Sequence, residues 1–194
     1  MSSSSSQQNS INIRTANITD AQAVANIHLA AWRAAYIDIV SQTYLDNLCT
    51  DDRVKLWQRV LSDRDTAGSI LVAAEESLQS TPRRLLGFVS FGPAMPSAGP
   101  RHEASDKEDK LAELRAIYID PEYWARGIGQ ALWKAAQQQL MQEEKFTSVV
   151  VRVFARNERA IRFYRAAGFD REEKGVTEVG GKKLETLMLR KGLV

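Results

Sequence analysis

The stretch that decides the fold is Leu111–Leu132, LAELRAIYIDPEYWARGIGQAL. Its first part is apolar or aromatic at Leu111, Leu114, Ile117, Tyr118 and Ile119, which predicts a strand. Asp120-Pro121 ends that strand, because proline has no N–H to give to a ladder. The last part puts Ile128, Leu132 and then Ala135 on one helical face. Between the two lies Arg126-Gly127-Ile128-Gly129-Gln130-Ala131, with two glycines where a helix starts. Bare backbone there leaves unpaired N–H groups and the positive end of the helix dipole facing outward, a geometry that binds phosphate.

Two familiar phosphate motifs do not fit. A nucleotide P-loop needs Lys-Ser/Thr after its last glycine, where this chain has Gln130-Ala131, and a dinucleotide fingerprint needs a third glycine. A second motif lies one predicted helix and one predicted strand downstream: Asn157, Ala160, Phe163, Tyr164, Gly168 and Phe169, spaced Asn-x-x-Ala-x-x-Phe-Tyr-x-x-x-Gly-Phe. Asn157 suits an N-cap, Ala160, Tyr164 and Ala167 form one helical stripe, and Gly168 suits a helix stop.

Outward from these motifs, the chain alternates strands and helices. Met1–Ser10 is serine, glutamine and asparagine with almost nothing to bury, and reads as a disordered tail ahead of a single domain over 11–194. Ile11–Arg14 alternates like a first strand. Thr19 and Gln22 stand at capping-box spacing before a helix to about Ala35, buried through Val24, Ile27, Ala31 and Ala34. His28, Trp32 and Tyr36 recur every four residues on a neighbouring face, either as core edge or as an aromatic wall. Ser41–Leu48 and Asp51–Leu61 predict two short helices, with Trp57 turned inward. Ser69–Glu75 and Leu85–Phe91 predict two strands of a hairpin across the polar turn Ser77–Arg84. Gly92–Lys110, with Pro93, Pro96, Gly99 and Pro100, reads as a long loop. The later helix is predicted to run to about Glu144. A valine-rich strand follows over Phe146–Val153, as expected of a strand covered on both faces. A last hairpin, Phe169–Val179 and Lys182–Arg190, turns at Gly180-Gly181.

Composition narrows the classes. The 194 residues, 44% hydrophobic and 26% charged, suit one soluble globule with a full core. A net charge of +2 is too balanced to imply nucleic acid. One cysteine, Cys49, rules out an intrachain disulfide and a cysteine-built zinc site, and points to a reducing, cytoplasmic compartment. His28 and His102 are the only histidines, so no multi-histidine metal site is expected. No apolar run reaches membrane-spanning length, and the N-terminus lacks a signal-peptide core.

The two motifs and the elements around them resemble the GNAT superfamily of acyl-CoA N-acyltransferases. That family's signature Gln/Arg-x-x-Gly-x-Gly/Ala is met by Arg126, Gly129 and Ala131, and its second signature by Asn157 through Phe169. The resemblance implies an α/β fold of the α+β type: a mixed, mostly antiparallel sheet of about six or seven strands, splayed between the fourth and fifth, with helices on both faces. It implies acetyl-CoA as cosubstrate, with no metal. Its pantetheine arm would pair with main-chain groups of Ile117, Tyr118 and Ile119. The amides of Gly127, Ile128, Gly129, Gln130 and Ala131 would hold the pyrophosphate, helped by Arg126. Asn157, Ala160 and Tyr164 would meet the arm from the other side, and one of Arg156, Arg159, Arg162 and Arg165 could reach a ribose phosphate.

For catalysis the resemblance implies three roles. Glu113, directly or through a water, would take the proton of the amine; counting along an unbroken strand puts it in line with Ile117 and Ile119. A main-chain N–H near Ile117–Tyr118 would serve the oxyanion, and Tyr164 would protonate the departing thiolate. Trp32 and Tyr36, with Glu113, would border the acceptor. The expected function is N-acetylation of a primary amine on a small molecule. A protein or peptide N-terminus or lysine is the alternative acceptor, and a non-catalytic acyl-CoA-binding module the alternative class. Glu103, Asp106 and Glu108 in the long loop would favour a cationic acceptor, and the loop itself would act as a lid. Homodimers are common in that family, and nothing in these residues shows one.

Overall fold

A computed structural model of the chain describes residues 11–63, 69–75, 84–94, 111–143 and 146–193. The expectations placed on the N-terminal tail, the turn at 77–83 and residues 95–110, including His102, Glu103, Asp106 and Glu108, lie outside them.

Seven strands form one sheet: β1 (Ile11–Thr15), β2 (Ile70–Glu75), β3 (Leu85–Pro93), β4 (Leu111–Ile119), β5 (Ser148–Phe154), β6 (Arg171–Val179) and β7 (Lys182–Gly192). Their order is β1-β2-β3-β4-β5-β7-β6, antiparallel throughout except for the parallel pair β4–β5. The helices are α1 (Ala21–Ala35), α2 (Gln42–Asp46), α3 (Thr50–Ser62), α4 (Ile128–Gln142) and α5 (Glu158–Ala166). The parallel pair comes about because α4 carries the chain from the end of β4 back to the start of β5, a connection a tight turn cannot make.

Burial divides the protein into two layers. On one face, Ile128, Leu132, Ala136 and Leu140 of α4 and Tyr164 of α5 pack on Val89, Phe91, Leu114, Val149, Val151 and Leu189. On the other, Val24, Ile27, Trp57 and Leu61 of α1 and α3 pack on Ile70, Val72 and Phe88. A third cluster joins Tyr36, Val40 and Leu45 to Phe154, Val179 and Leu184, seating the β6–β7 hairpin on the end of α1. The hairpin turns at Gly180 and Gly181, whose φ of +58° and +75° suit a type I′ turn. Gly168, at φ +89°, stops α5, as its position in the motif predicts.

Two local features differ from the sequence reading. The capping box before α1 is formed by Asn17 and Asp20 around a short 3-10 turn; Thr19 is a donor to the Asn17 side chain, its N–H at 2.9 Å, and Gln22 bonds Asn26 instead. Asp20 is buried, accepts from the Asn17 N–H at 2.8 Å, and takes both terminal nitrogens of Arg14 at 2.7 and 2.8 Å. The second feature is a bulge. Ser90 pairs with Ala116 but Phe91 pairs with Leu114, so Arg115 is an extra residue in β4.

Burial works against ionisation of Asp20, but the Arg14 guanidinium and the Asn17 N–H outweigh it and hold its carboxyl below the usual aspartate value. The stability this pairing gives is therefore present above about pH 4 and is lost as pH falls below it. Asp20→Ala is expected to lower unfolding free energy by about 2 kcal/mol at neutral pH, measured by chemical denaturation. An unchanged midpoint would show that the box is not holding β1 to α1.

Candidate active site

The site lies where β4 and β5 separate. They pair over four residues, from Leu111 opposite Ser148 to Leu114 opposite Val151, and then part. Beyond that point β5 is held by β7 alone, through Phe154 opposite Thr186, and β4 by β3 alone. The gap opens into a cavity of about 630 Å³ between α1, the α4 N-terminus, α5 and the tip of β6.

One wall is a strand edge with unspent hydrogen-bonding groups. The Asp120 N–H donates to Leu86 O at 2.9 Å, so this is a hydrogen-bonded pair of the antiparallel ladder. By alternation, Tyr118 also turns its main chain to β3, while Ile117 and Ile119 turn theirs to the open side. The Trp124 indole N–H takes up Ile119 O at 2.9 Å. The open edge therefore offers both main-chain groups of Ile117 and the N–H of Ile119. The main chain of Tyr118, expected to share this role, is spent on β3.

At one end of the gap the chain enters α4 through two left-handed residues, Ala125 at φ +61° and Gly127 at φ +78°. Such a φ is costly for alanine, and strain of this kind gathers at ligand sites. The first intrahelical bond runs from the Ala131 N–H to Gly127 O at 3.0 Å. The amides of Ile128, Gly129 and Gln130 thus lack an acceptor within the helix, whereas that of Ala131, expected among the phosphate binders, is already spent. A Cβ on Gly129 would come no nearer than 3.4 Å to Phe163, so its protein neighbours do not demand glycine. Close approach of a ligand to the bare backbone would. Arg126 donates to Glu122 O and lies 4.8 Å from the Tyr123 ring centre. From the facing side, Arg159 of α5 stacks on Trp124 at 3.5 Å. Asn157 caps α5, its side-chain oxygen accepting from the Ala160 N–H at 3.1 Å, and both residues line the cavity.

The other end is aromatic. Trp32, Tyr36, Phe154 and Tyr164 line it, with Thr177 and Val179 of the hairpin. The Trp32 indole N–H donates to the Tyr118 hydroxyl at 2.9 Å, and the Tyr36 hydroxyl lies 3.3 Å from the same oxygen. Tyr164 rests edge-on against Phe163 and Phe169. Burial pushes the phenols of Tyr36, Tyr118 and Tyr164 above the ordinary tyrosine value, so all three stay protonated. Behind Tyr118, and outside the cavity lining, His28 stacks on its ring at 4.9 Å and accepts at Nδ1 from the Trp57 indole N–H at 3.1 Å.

These features have known counterparts. Residues 23–169 match the Acetyltransferase (GNAT) family. The chain belongs to that family. It is 29% identical over 179 residues to an uncharacterized N-acetyltransferase, YuaI, of Bacillus subtilis (strain 168), spanning 92% of this chain and 91% of the relative. Among solved structures it resembles the PaiA N-acetyltransferase of Thermoplasma acidophilum in complex with coenzyme A, at 19% identity and a TM-score of 0.66, covering 94% of this chain and 99% of that one. It also resembles YncA of Salmonella typhimurium, solved with its cofactor acetyl-CoA, at 19% identity and a TM-score of 0.64, with 95% of both chains covered. These two likenesses concern the fold, a mixed seven-stranded sheet parted at its parallel pair.

Within this GNAT domain, Trp32, Tyr36, Ile117, Ile119, Arg126 to Gln130, Asn157, Ala160 and Tyr164 are gathered around one cavity. Glu113 is not among them. It is 7% exposed, within the paired part of β4 opposite Val150, and accepts from Arg152 at 2.8 Å. It lies where the two strands still pair, behind Arg152. The bulge at Arg115 reverses the strand's parity, so Ala112 and Leu114 share a face with Ile117 and Ile119, and Glu113 falls on the α1 face with Ala116 and Tyr118. Arg115 is turned to the Phe91 and Pro93 carbonyls, each at 2.9 Å.

Sequence reasoning passed over Trp124, Arg115, Arg152 and Phe154, all of which line the cavity. Arg152 carried a signal: it is the one charged residue within the valine run 149–153. No helix among the described residues is long and apolar enough to cross a membrane.

Burial, and then the charge of Arg53, push the His28 imidazole down to about 3. Below pH 6.5 the unfolded chain protonates this histidine before the folded one does. Stability should therefore fall by about 1.4 kcal/mol per pH unit for that proton as pH drops from about 6.5 toward 3. His28→Gln is expected to flatten this part of the denaturation profile. A parallel profile in the variant would refute the neutral, buried state.

Proposed function

We propose that this GNAT enzyme transfers the acetyl group of acetyl-CoA to the primary amine of a small molecule. The observation that carries the reading is one cavity that joins a half-unpaired strand edge, a helix N-terminus with spare amides and an aromatic end. Acetyl-CoA supplies an activated acetyl thioester. The amides of Ile128, Gly129 and Gln130, with the Arg126 charge, suit its diphosphate. The open groups of Ile117 and Ile119 suit the amides of a pantetheine arm laid along β4 as an added strand. The Ile117 N–H, in the same edge, is the donor best placed for a developing oxyanion.

Two proton movements remain. An alkylamine has a pKa near 10.4, so it must be deprotonated before it attacks. Arg115 and Arg152 line the cavity, and no Asp or Glu among the described residues does. That positive surround favours the neutral amine over the ammonium, with water carrying the proton away. Tyr164, kept protonated by burial, holds a proton at its hydroxyl for the leaving thiolate.

The small-molecule reading is supported by the packing of the β6–β7 hairpin beside the aromatic end. The hairpin tip rests so close to Tyr44 that a Cβ on Gly180 would lie 2.8 Å from its ring, and Thr177 and Val179 line the space behind.

Tyr164→Phe is expected to lower kcat by about 10²–10⁴-fold in a thiol-release assay, with coenzyme A affinity by calorimetry unchanged. Gly129→Ala should leave the thermal midpoint intact and weaken coenzyme A binding. A wild-type protein that gives no heat with coenzyme A would overturn the function proposed here.

A further inference from the structure

Resting on the acetyl-transfer reading, we infer that the acceptor carries its own carboxylate beside an apolar body, as an apolar amino acid does, and that Arg152 is the residue that binds that carboxylate. The charged residues that line the cavity are Arg115, Arg126, Arg152 and Arg159, with no acidic residue among the described ones. Two of the four belong to the α4 end: Arg126 is fixed on Glu122 O and Tyr123, and Arg159 on Trp124. Arg115 spends its terminal nitrogens on the Phe91 and Pro93 carbonyls. Arg152 differs from all three. It projects at the point where β4 and β5 part, on the α1 face, where the aromatic end of the cavity begins.

Its geometry is that of a held recognition group. One terminal nitrogen donates to Glu113 at 2.8 Å, and Glu113 is buried on β4, so the guanidinium is fixed from behind. A guanidinium has five N–H donors in a planar fork. The remaining donors of Arg152 have no acceptor among the described residues, and its side chain is 44% exposed. Within a run of buried valines this arginine satisfies the buried Glu113 through one nitrogen and leaves the rest of its fork at the cavity. Facing a substrate, it supplies a bidentate site for a carboxylate.

The rest of the acceptor end agrees. Trp32, Tyr36, Phe154 and Tyr164 offer ring surface to an apolar side chain. A purely cationic acceptor would meet two arginines there and, among the described residues, no carboxylate. An amino acid offsets that potential with its own anion, while its amine is still driven toward the neutral, nucleophilic form.

The test compares matched acceptors in a thiol-release assay at saturating acetyl-CoA: methionine and phenylalanine, their carboxamides, and the corresponding amines without a carboxylate. The free acids are expected to exceed the carboxamides on the order of 10–100-fold in kcat/KM, mainly through KM. Arg152→Lys should keep part of that preference, and Arg152→Gln should abolish it. Because Arg152→Gln deprives Glu113 of its ion pair with Arg152, the double variant Glu113→Gln/Arg152→Gln, which removes both charges, is measured beside it, with thermal midpoints for all. Calorimetric titration of the amino acids into the coenzyme A-bound protein gives a second readout. Carboxamides or plain amines used as well as the acids, or an acid preference that survives in folded Arg152 variants, would overturn the inference. Heat with coenzyme A but neither binding nor acetylation of any acid would overturn it too, leaving the coenzyme A site standing. No heat with coenzyme A would bring down the reading beneath it.

Discussion

Parallel strands β4 and β5 share four residue pairs and then cannot share a fifth. Several forces hold them apart. The extra residue at Arg115 bends β4 away, and bulges are known to end pairing in this way. The end of β5 is claimed by β7. From one face Tyr164 fills the space, and from the other come Trp32, Tyr36 and Tyr118, so the wedge between the strands is ring surface from both layers. Close it, and the open groups of Ile117 and Ile119 would pair with protein, leaving nothing for a ligand to complete.

The electrostatics follow from the same separation. Outside the gap, buried charges meet partners: Asp20 has Arg14, and Glu113 has Arg152. Inside it, the lining is aromatic hydroxyls, main-chain amides and arginines. Burial keeps the tyrosines protonated and His28 neutral. The region therefore gathers positive charge and, among the described residues, holds no lysine or histidine, which suits a phosphate-bearing cosubstrate at one end.

Much of this architecture was legible in the chain. Strand and helix periodicities, Pro121 after β4, Asn157 before α5 and the glycine pair in the last turn each act locally, so their effects could be read locally. The two motifs placed Gly127, Gly129 and Tyr164 at the cavity. What escaped depends on register. Glu113 was aligned with Ile117 and Ile119 by counting in twos, and one added residue, visible only against β3, turns it to the opposite face. The role of the Tyr118 main chain escaped for the same reason: a single sequence does not reveal which of two neighbours receives an N–H. The box before α1 shifted from Thr19 to Asn17 because both residue types cap helices well, and only the partnership of Asp20 with Arg14 separates them.

The division of the core into two layers has an evolutionary consequence. The turn into α4, with α5 behind it, belongs to one layer; the aromatic walls at the far end of the cavity come largely from α1, its neighbours and the β6–β7 tip. On the proposed reading, substitutions in that second group remodel what is recognised without disturbing the turn that holds the common donor. A scaffold partitioned in this way can diversify its repertoire one half at a time.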